Sequence, residues 1–257
     1  MSRAADESCH TDSAGIPWEG RRFEENPHSA DDGSADPALL AALIAFRAGE
    51  GDAVAVVDAY RAARLLIPLV AEKGDVGVGP TGLRVDKTQE LSIVTVAGPD
   101  GRRVLPVFTS VATMAVWDPK ARPVPADGVR TALAAASDDT DLVVIDPGSA
   151  TEFVLRRPAV WAIGQGEPWE PADRSPEVFT ALQESIGVEL AVLDLSVAAG
   201  DPEARLRGPE LVVRLDLMDG LDRAELDAVL QRLASRWAAD DRIAVLVDSL
   251  TVQLRRA

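Results

Sequence analysis

The side chains best suited to proton transfer and soft-metal binding are nearly missing from this sequence. Its two histidines, His10 and His28, and its single cysteine, Cys9, all fall within the first 28 residues. With Asp12 they supply donor types for a metal ion, but a metal site needs ligands held in fixed geometry. The surrounding stretch is polar and aperiodic, so solvated side chains are expected and no metal. Beyond residue 28 there is no imidazole, so Ser-His-Asp and Cys-His sets have no base. Neither a GxSxG elbow nor a Walker A sequence occurs. The expectation is no catalytic residue and no cofactor.

Four other groupings have the residue types for binding. Gly77-Val78-Gly79-Pro80-Thr81-Gly82 spells GxGxxG, which holds a pyrophosphate only where a strand runs into a helix N-terminus. Leu83 to Glu90 shows no helical stripe, so a glycine loop between strands is expected instead. Asp138-Asp139-Thr140-Asp141 gathers carboxylates, yet it links a helix to a buried strand, where acidic connections are common. Thr109-Ser110 lies where a strand meets a helix N-terminus and is the candidate anion site; Ser110 also reads as a plain N-cap. Arg156, Arg157, Trp161 and Trp169 are the candidate interaction patch, because Arg and Trp are enriched in hot spots. The competing reading of the two tryptophans is core and linker packing.

The elements that must position these residues follow from pattern. The 257 residues suit one large or two small domains, and 47% hydrophobic residues supply an ordinary core. Aromatics are only 4%, so Leu, Val, Ile and Ala must fill it. A lone cysteine excludes an intramolecular disulfide. The first 18 residues lack the apolar segment of a secretory signal, and the longest apolar run, Ala38 to Phe46, is too short to span a bilayer. Forty-two acids against 26 bases give a charge of −16, the wrong sign for nucleic acid or an anionic membrane. A cytoplasmic protein is expected. Scarce lysine beside abundant Arg, Ala, Val and Asp points to a GC-rich, actinobacterial genome.

Residues 1–35 read as a disordered acidic tail. Asp36-Pro37 starts a helix that Gly49 ends, and Asp52 caps a second. Leu65–Val70 reads as a strand, placed at an edge or bulge by Pro68. Leu91–Ala97 and Arg103–Phe108 form a hairpin about Gly98–Gly101. Ser110 caps a helix through Trp117, and Asp127 starts another with Val129, Ala132, Leu133 and Ala136 on one face. Leu142–Ile145 and Thr151–Leu155 form a second hairpin, and Pro158 opens a helix. Residues 36–165 make the first α+β domain and 166–175 a linker. Residues 176–257 make a smaller αββαβ unit: a helix at Pro176–Ile186, strands at Val188–Val197 and Glu210–Leu217, a helix from Asp222, and a closing strand at Ile243–Val247. The fold class is α+β, with a mixed-sheet first domain.

Several segments resemble the actinobacterial SseB-type, or enhanced-serine-sensitivity, proteins. They are Glu25-Asn26-Pro27, Asp31-Asp32-Gly33-Ser34-Ala35-Asp36-Pro37-Ala38-Leu39, Ala63-Arg64-Leu65-Leu66-Ile67-Pro68-Leu69-Val70, and the run from Asp100 to Ser110. Trp117-Asp118-Pro119 and Leu155-Arg156-Arg157-Pro158-Ala159-Val160-Trp161 extend the match. His28 stands where an aromatic is expected. The resemblance implies a family named for a growth phenotype linked to serine, and it brings no reaction or catalytic residue with it. The expected role is a non-enzymatic interaction or regulatory protein that binds another protein. Alternatives are a sensor of an amino-acid-related small molecule and, third, an enzyme working with Asp, Glu, Arg and Ser alone.

Overall fold

The computed structural model describes residues 31–71, 77–78, 84–85, 91–93, 95–137, 140 and 142–256. The expected acidic tail as far as residue 30, with Cys9, His10, Asp12 and His28, lies outside them. So do residues 79–82 of the glycine motif and Asp138, Asp139 and Asp141. The last residues assigned to the tail belong to the folded body. The Gly33 carbonyl accepts the Val111 N–H at 2.9 Å, and the Ser34 carbonyl accepts from Arg64.

The first half is built from local signals that the structure honours. The Asp36 carboxylate accepts the Ala38 and Leu39 N–H groups and Pro37 fills the first turn, so α1 runs Pro37–Ala48 and stops at Gly49 in the left-handed region. Asp52 caps α2, Ala53–Ala62. Then comes β1, Arg64–Ala71, followed by the short pair β2, Gly77–Val78, and β3, Arg84–Val85. That pair is antiparallel, so the glycine motif begins in a strand ladder and not at a strand-to-helix turn. The run Leu91–Ala97, expected as one strand, is two: β4, Leu91–Ile93, pairs with β1, and β5, Val96–Ala97, pairs with β6, Arg103–Val107.

After α3, Val111–Trp117, a strand without alternating pattern appears: β7, Arg122–Asp127, lies antiparallel to β1. This makes β1 central in the order β4-β1-β7, so of the two placements expected from Pro68, an edge or a bulge, the edge is not the one observed. The chain tolerates the proline because its missing donor points to a seam. Leu66 exchanges both backbone bonds with Phe108, whereas β4 takes over only at Leu69. Next is α4, Gly128–Ser137. Gly128 cannot carry a side chain, since a Cβ would lie 1.9 Å from the Tyr60 carbonyl oxygen. The buried face of α4 is Gly128, Thr131, Ala132 and Ala135, while Leu133 is exposed, one position round from the expected stripe. β8, Val143–Ile145, and β9, Phe153–Leu155, complete the order β5-β6-β8-β9, with β6 and β8 parallel. α5, Arg157–Gln165, closes the first core, in which Leu39, Leu43, Val57, Leu65, Val107, Ile145 and Leu155 are among the residues that meet.

The second half packs its own core, including Leu182, Leu211, Val213, Leu215, Leu233 and Trp237. α6 is Pro176–Ile186, β10 Val192–Ala199, β11 Leu211–Leu217 and α7 Arg223–Ala239. α7 has the expected capping box of Asp222 and Glu225. The closing strand is not Ile243–Val247. Asp240 caps a short helix there, α8, Asp241–Leu246, and the strand is β12, Leu250–Arg256, parallel to β11. An apolar run of that length is ambiguous between the two states. Burial decides it, because Ile243 and Val247, four apart, are buried while Val245 between them is exposed. The fold class is α+β, and Gly33–Ala257 form one compact unit.

Candidate functional site

The segment between β10 and β11 is a tongue from the second half that plugs into the first. Its base is narrow: Gly200 N–H donates to the Glu210 carbonyl at 2.9 Å, and a Cβ on Gly200 would stand 2.3 Å from the Pro209 carbonyl oxygen. Its tip carries two residues with positive φ, Ala204 at 47° and Leu206 at 57°, a conformation that L-residues adopt at an energetic cost. Contacts with the first half hold them there. The Ala204 carbonyl accepts the Val154 N–H at 2.8 Å, the Glu203 carbonyl accepts from Arg47 at 2.6 Å, and buried Leu206 joins Val104, Leu142, Val144 and Val154.

At the root of the tongue a charged network crosses from one half to the other. Asp248, between α8 and β12, binds Arg102 through two parallel bonds of 2.8 and 2.9 Å and takes a third from Arg156 at 3.1 Å. The other arm of Arg156 donates to Asp201 at 2.8 Å and to the Gly208 carbonyl at 2.7 Å. Arg156 and Asp248 side chains are 8% and 2% exposed, so neither ion is tolerable without the other. Burial alone would raise the Asp248 carboxyl. The hydrogen bonds and charge of Arg102 and the charge of Arg156 outweigh it and hold Asp248 below the usual carboxylate range.

Glu210 sits beside this network under opposite rule. Its Oε2 accepts the Asp248 N–H at 2.6 Å. Burial is the largest influence, and the neighbouring Asp248 charge adds to it; the amide bond and the charges of Arg156 and Arg157 offset only part. The Glu210 carboxyl is pushed up to about 7. It lines a cavity of about 160 Å³ enclosed by all three parts of the described body. Phe46, Val57, Phe153 and Ala159 come from the first half, Trp169, Pro171, Asp173 and Arg174 from the segment before α6, Ala199 from the end of β10, and Asp201 and Ala204 from the tongue. The volume is below the roughly 300–1,000 Å³ of pockets that take drug-sized ligands, so it suits a small metabolite.

The residues singled out in the sequence are therefore redistributed. Arg156 is internal, and Arg157 donates to the Ala244 and Val247 carbonyls at the end of α8 while stacking 4.8 Å from the Trp161 ring. Both arginines tie the two halves together, Arg156 from a buried position and Arg157 from a half-buried one. Trp161 and Trp169 are half-buried against the first core and line a second cavity, of about 280 Å³. Residues 166–175 are a held segment: Arg61 donates to the Ala162 and Glu167 carbonyls, and Arg174 reaches Asp52 at 3.4 Å.

Thr109 faces an anion that is the protein's own, and Ser110 does not share it. The Thr109 N–H and hydroxyl donate to the two oxygens of Asp146 at 2.8 and 2.7 Å, and Thr151 adds a third bond at 2.8 Å. Ser110 caps α3 in a capping box with Thr113. Asp146, fully buried, turns out of β8 with φ 46°. Asp201, Glu210 and Asp248 went unremarked as functional groups. Their only local signal is a carboxylate at the very end of an apolar segment.

Among the described residues no group of three or more His, Cys, Asp and Glu is placed to hold a metal ion. No helix among them is long and apolar enough to cross a membrane. No curated protein and no solved structure matches the chain. Residues 39–162 match the sequence model of the family described as SseB protein N-terminal domain. They run from the start of α1 into α5, the part of the chain that supplies Arg102, Arg156 and the first-half wall of the cavity. That stretch, just under half of the chain, is similar to the SseB N-terminal domain.

Proposed function

We propose that the protein is a non-enzymatic regulatory protein that binds a small polar metabolite between its SseB domain and its tongue. Of the two regulatory readings open from sequence, this one draws the stronger support. Arg156, one of the four residues of the supposed protein-binding patch, is spent inside, and Arg157 is engaged by backbone carbonyls at the end of α8. The observation that carries the proposal is the cavity beside Glu210, enclosed by both halves and the segment joining them. A ligand there touches all three parts at once and stabilises their association by mass action. Binding is preferred to turnover because the polar side chains of the network are satisfied by one another. The serine-linked phenotype implied by the resemblance makes amino acids the first ligands to try. We extend the SseB assignment to the whole chain and read it as a cytoplasmic protein of actinobacterial type.

A thermal-shift screen of small polar metabolites, serine included, tests this. A true ligand at a hundred times its Kd adds about 2.7 kcal/mol of stability. Ala199→Trp, at an exposed position on the cavity wall, is expected to abolish the shift. A flat screen, or an unchanged shift in the plugged variant, removes the proposal.

A protein partner is the second reading. Its support is an apolar cluster at one end of the second half: Val188, Leu190 at 93% exposure, Leu193 and Met218, gathered about the hydrogen bond from Met218 N–H to the Ala191 carbonyl. Under this reading Leu190→Asp abolishes binding of the partner without altering the melting temperature.

A further inference from the structure

We infer that the ligand of the cavity carries an ammonium group and that the Glu210 carboxylate receives it. This rests on the small-molecule reading above and adds the chemistry of recognition. The cavity is lined by two arginines, Arg156 and Arg174, and by three carboxyls, Asp173, Asp201 and Glu210. Both arginines already have partners: Arg156 is held by Asp248 and Asp201, and Arg174 by Asp52. Asp201 Oδ2 is taken by Arg156 and the Leu206 N–H. Glu210 differs from Asp201 in having no ion-pair partner among the described residues: its Oε2 accepts the Asp248 N–H, and its Oε1 accepts no hydrogen bond from any of them.

With Glu210 ionised, the lining offers an acceptor and three carboxylates against two guanidinium ions that already have carboxylate partners. An anionic ligand meets repulsion in a half-enclosed space where Coulomb forces are strong. An ammonium finds a charge-assisted hydrogen bond. The rest of the wall favours the same ion, because Phe46, Phe153 and Trp169 present aromatic rings, with Phe46 and Phe153 edge to face at 4.9 Å. Apolar walls and one buried carboxyl also fit a small organic body better than a hydrated metal cation, which needs several oxygen ligands.

The site is proton-linked. Glu210 faces Asp248, Arg156 and Arg157 within the network and shares the cavity with Asp173, Asp201 and Arg174. Desolvation keeps it protonated to about pH 7 in the empty cavity. An ammonium requires the ionised form, so binding releases that proton. Below pH 7 the affinity falls by about tenfold per pH unit, and above it the affinity levels off.

The test is titration calorimetry on the full chain with ethanolamine, propylamine and serine, against ethylene glycol and lactate, from about pH 5 to about pH 8. We expect the three amines to bind with affinity rising to a plateau near pH 7, and the neutral and anionic probes to be silent. Serine against ethanolamine separates a zwitterionic ligand from a simple amine. Glu210→Gln keeps an acceptor for the Asp248 N–H, so it is expected to fold while losing roughly tenfold or more in amine affinity and all pH dependence. Lactate or glycol binding with a flat pH profile, or a Glu210→Gln variant with full amine affinity, overturns the inference and leaves small-molecule binding standing. Silence from every probe removes both. The wild-type pH profile decides the matter should the variant fail to fold.

Discussion

Two buried carboxylates illustrate two ways of keeping an anion inside a protein. Asp146 lies within the first half and is satisfied by neutral donors: one amide and the hydroxyls of Thr109 and Thr151. All three are near in space and held by a hairpin and a helix start, so the arrangement is closed. Asp248 lies between the halves and is satisfied by two guanidinium ions from elements far away in sequence. Crowding that much charge into one place has a side effect. Glu210, next to Asp248, cannot easily ionise as well, and it keeps an oxygen free. The first arrangement produces rigidity, and the second produces rigidity with a reactive remainder at the cavity wall.

Removing the anion from each place should separate the two. Asp248→Ala takes the two-bond partner from Arg102 and one of two counter-ions from buried Arg156, and is expected to destabilise by about 3–5 kcal/mol, read by urea denaturation. Asp146→Ala strands neutral donors only and should cost about 1–3 kcal/mol. Equal losses would mean that charge is not what distinguishes the regions. A smaller effect concerns pH. Because the Glu210 carboxyl is raised in the fold, its contribution is fully present below its unfolded value of roughly 4.3 and is lost as pH rises through about 7. Wild-type stability should therefore lose this contribution across that window and Glu210→Gln should not. Glu189 has the opposite sign. Bonds from Arg232, with Arg236 in support, hold it at about 2, so its contribution disappears as pH falls from roughly 4.3 towards that value. Glu189→Gln is expected to flatten the acid limb. The smallest change is Ala204→Gly, where relief of positive φ, worth about 1–2 kcal/mol, is offset by chain entropy of about 0.4–1 kcal/mol. A slight rise in melting temperature is expected.

What could be read in the sequence was whatever is settled within a few residues. Asp36-Pro37, Ser110 and the Asp222–Glu225 pair each mark a helix start, because a cap satisfies amides two or three positions on. Gly101, with φ 83°, marks its hairpin for the same local reason. β7 escaped notice because prolines at 123 and 125 break any alternation, and only its pairing with β1 makes it a strand. The charged network escaped for a stronger reason. Arg102 and Asp248 are 146 positions apart and Arg156 and Asp201 are 45 apart, and no spacing rule links ions that only tertiary contact brings together. Placing Arg156 in a candidate interaction patch followed the usual exposure of arginine, which Asp201 and Asp248 override.

The prolines of β7 have a consequence for how molecules meet one another. Pro123 and Pro125 face Pro68 and Leu66 of β1. Leu66 turns its own N–H towards Phe108, so in this antiparallel register the two prolines fall where β7 would otherwise point amides away from the sheet. The outer border of that strand therefore offers carbonyls with few donors between them, and a strand from another copy cannot zip onto it. Colloidal safety on that flank comes from the missing hydrogens and needs no covering partner.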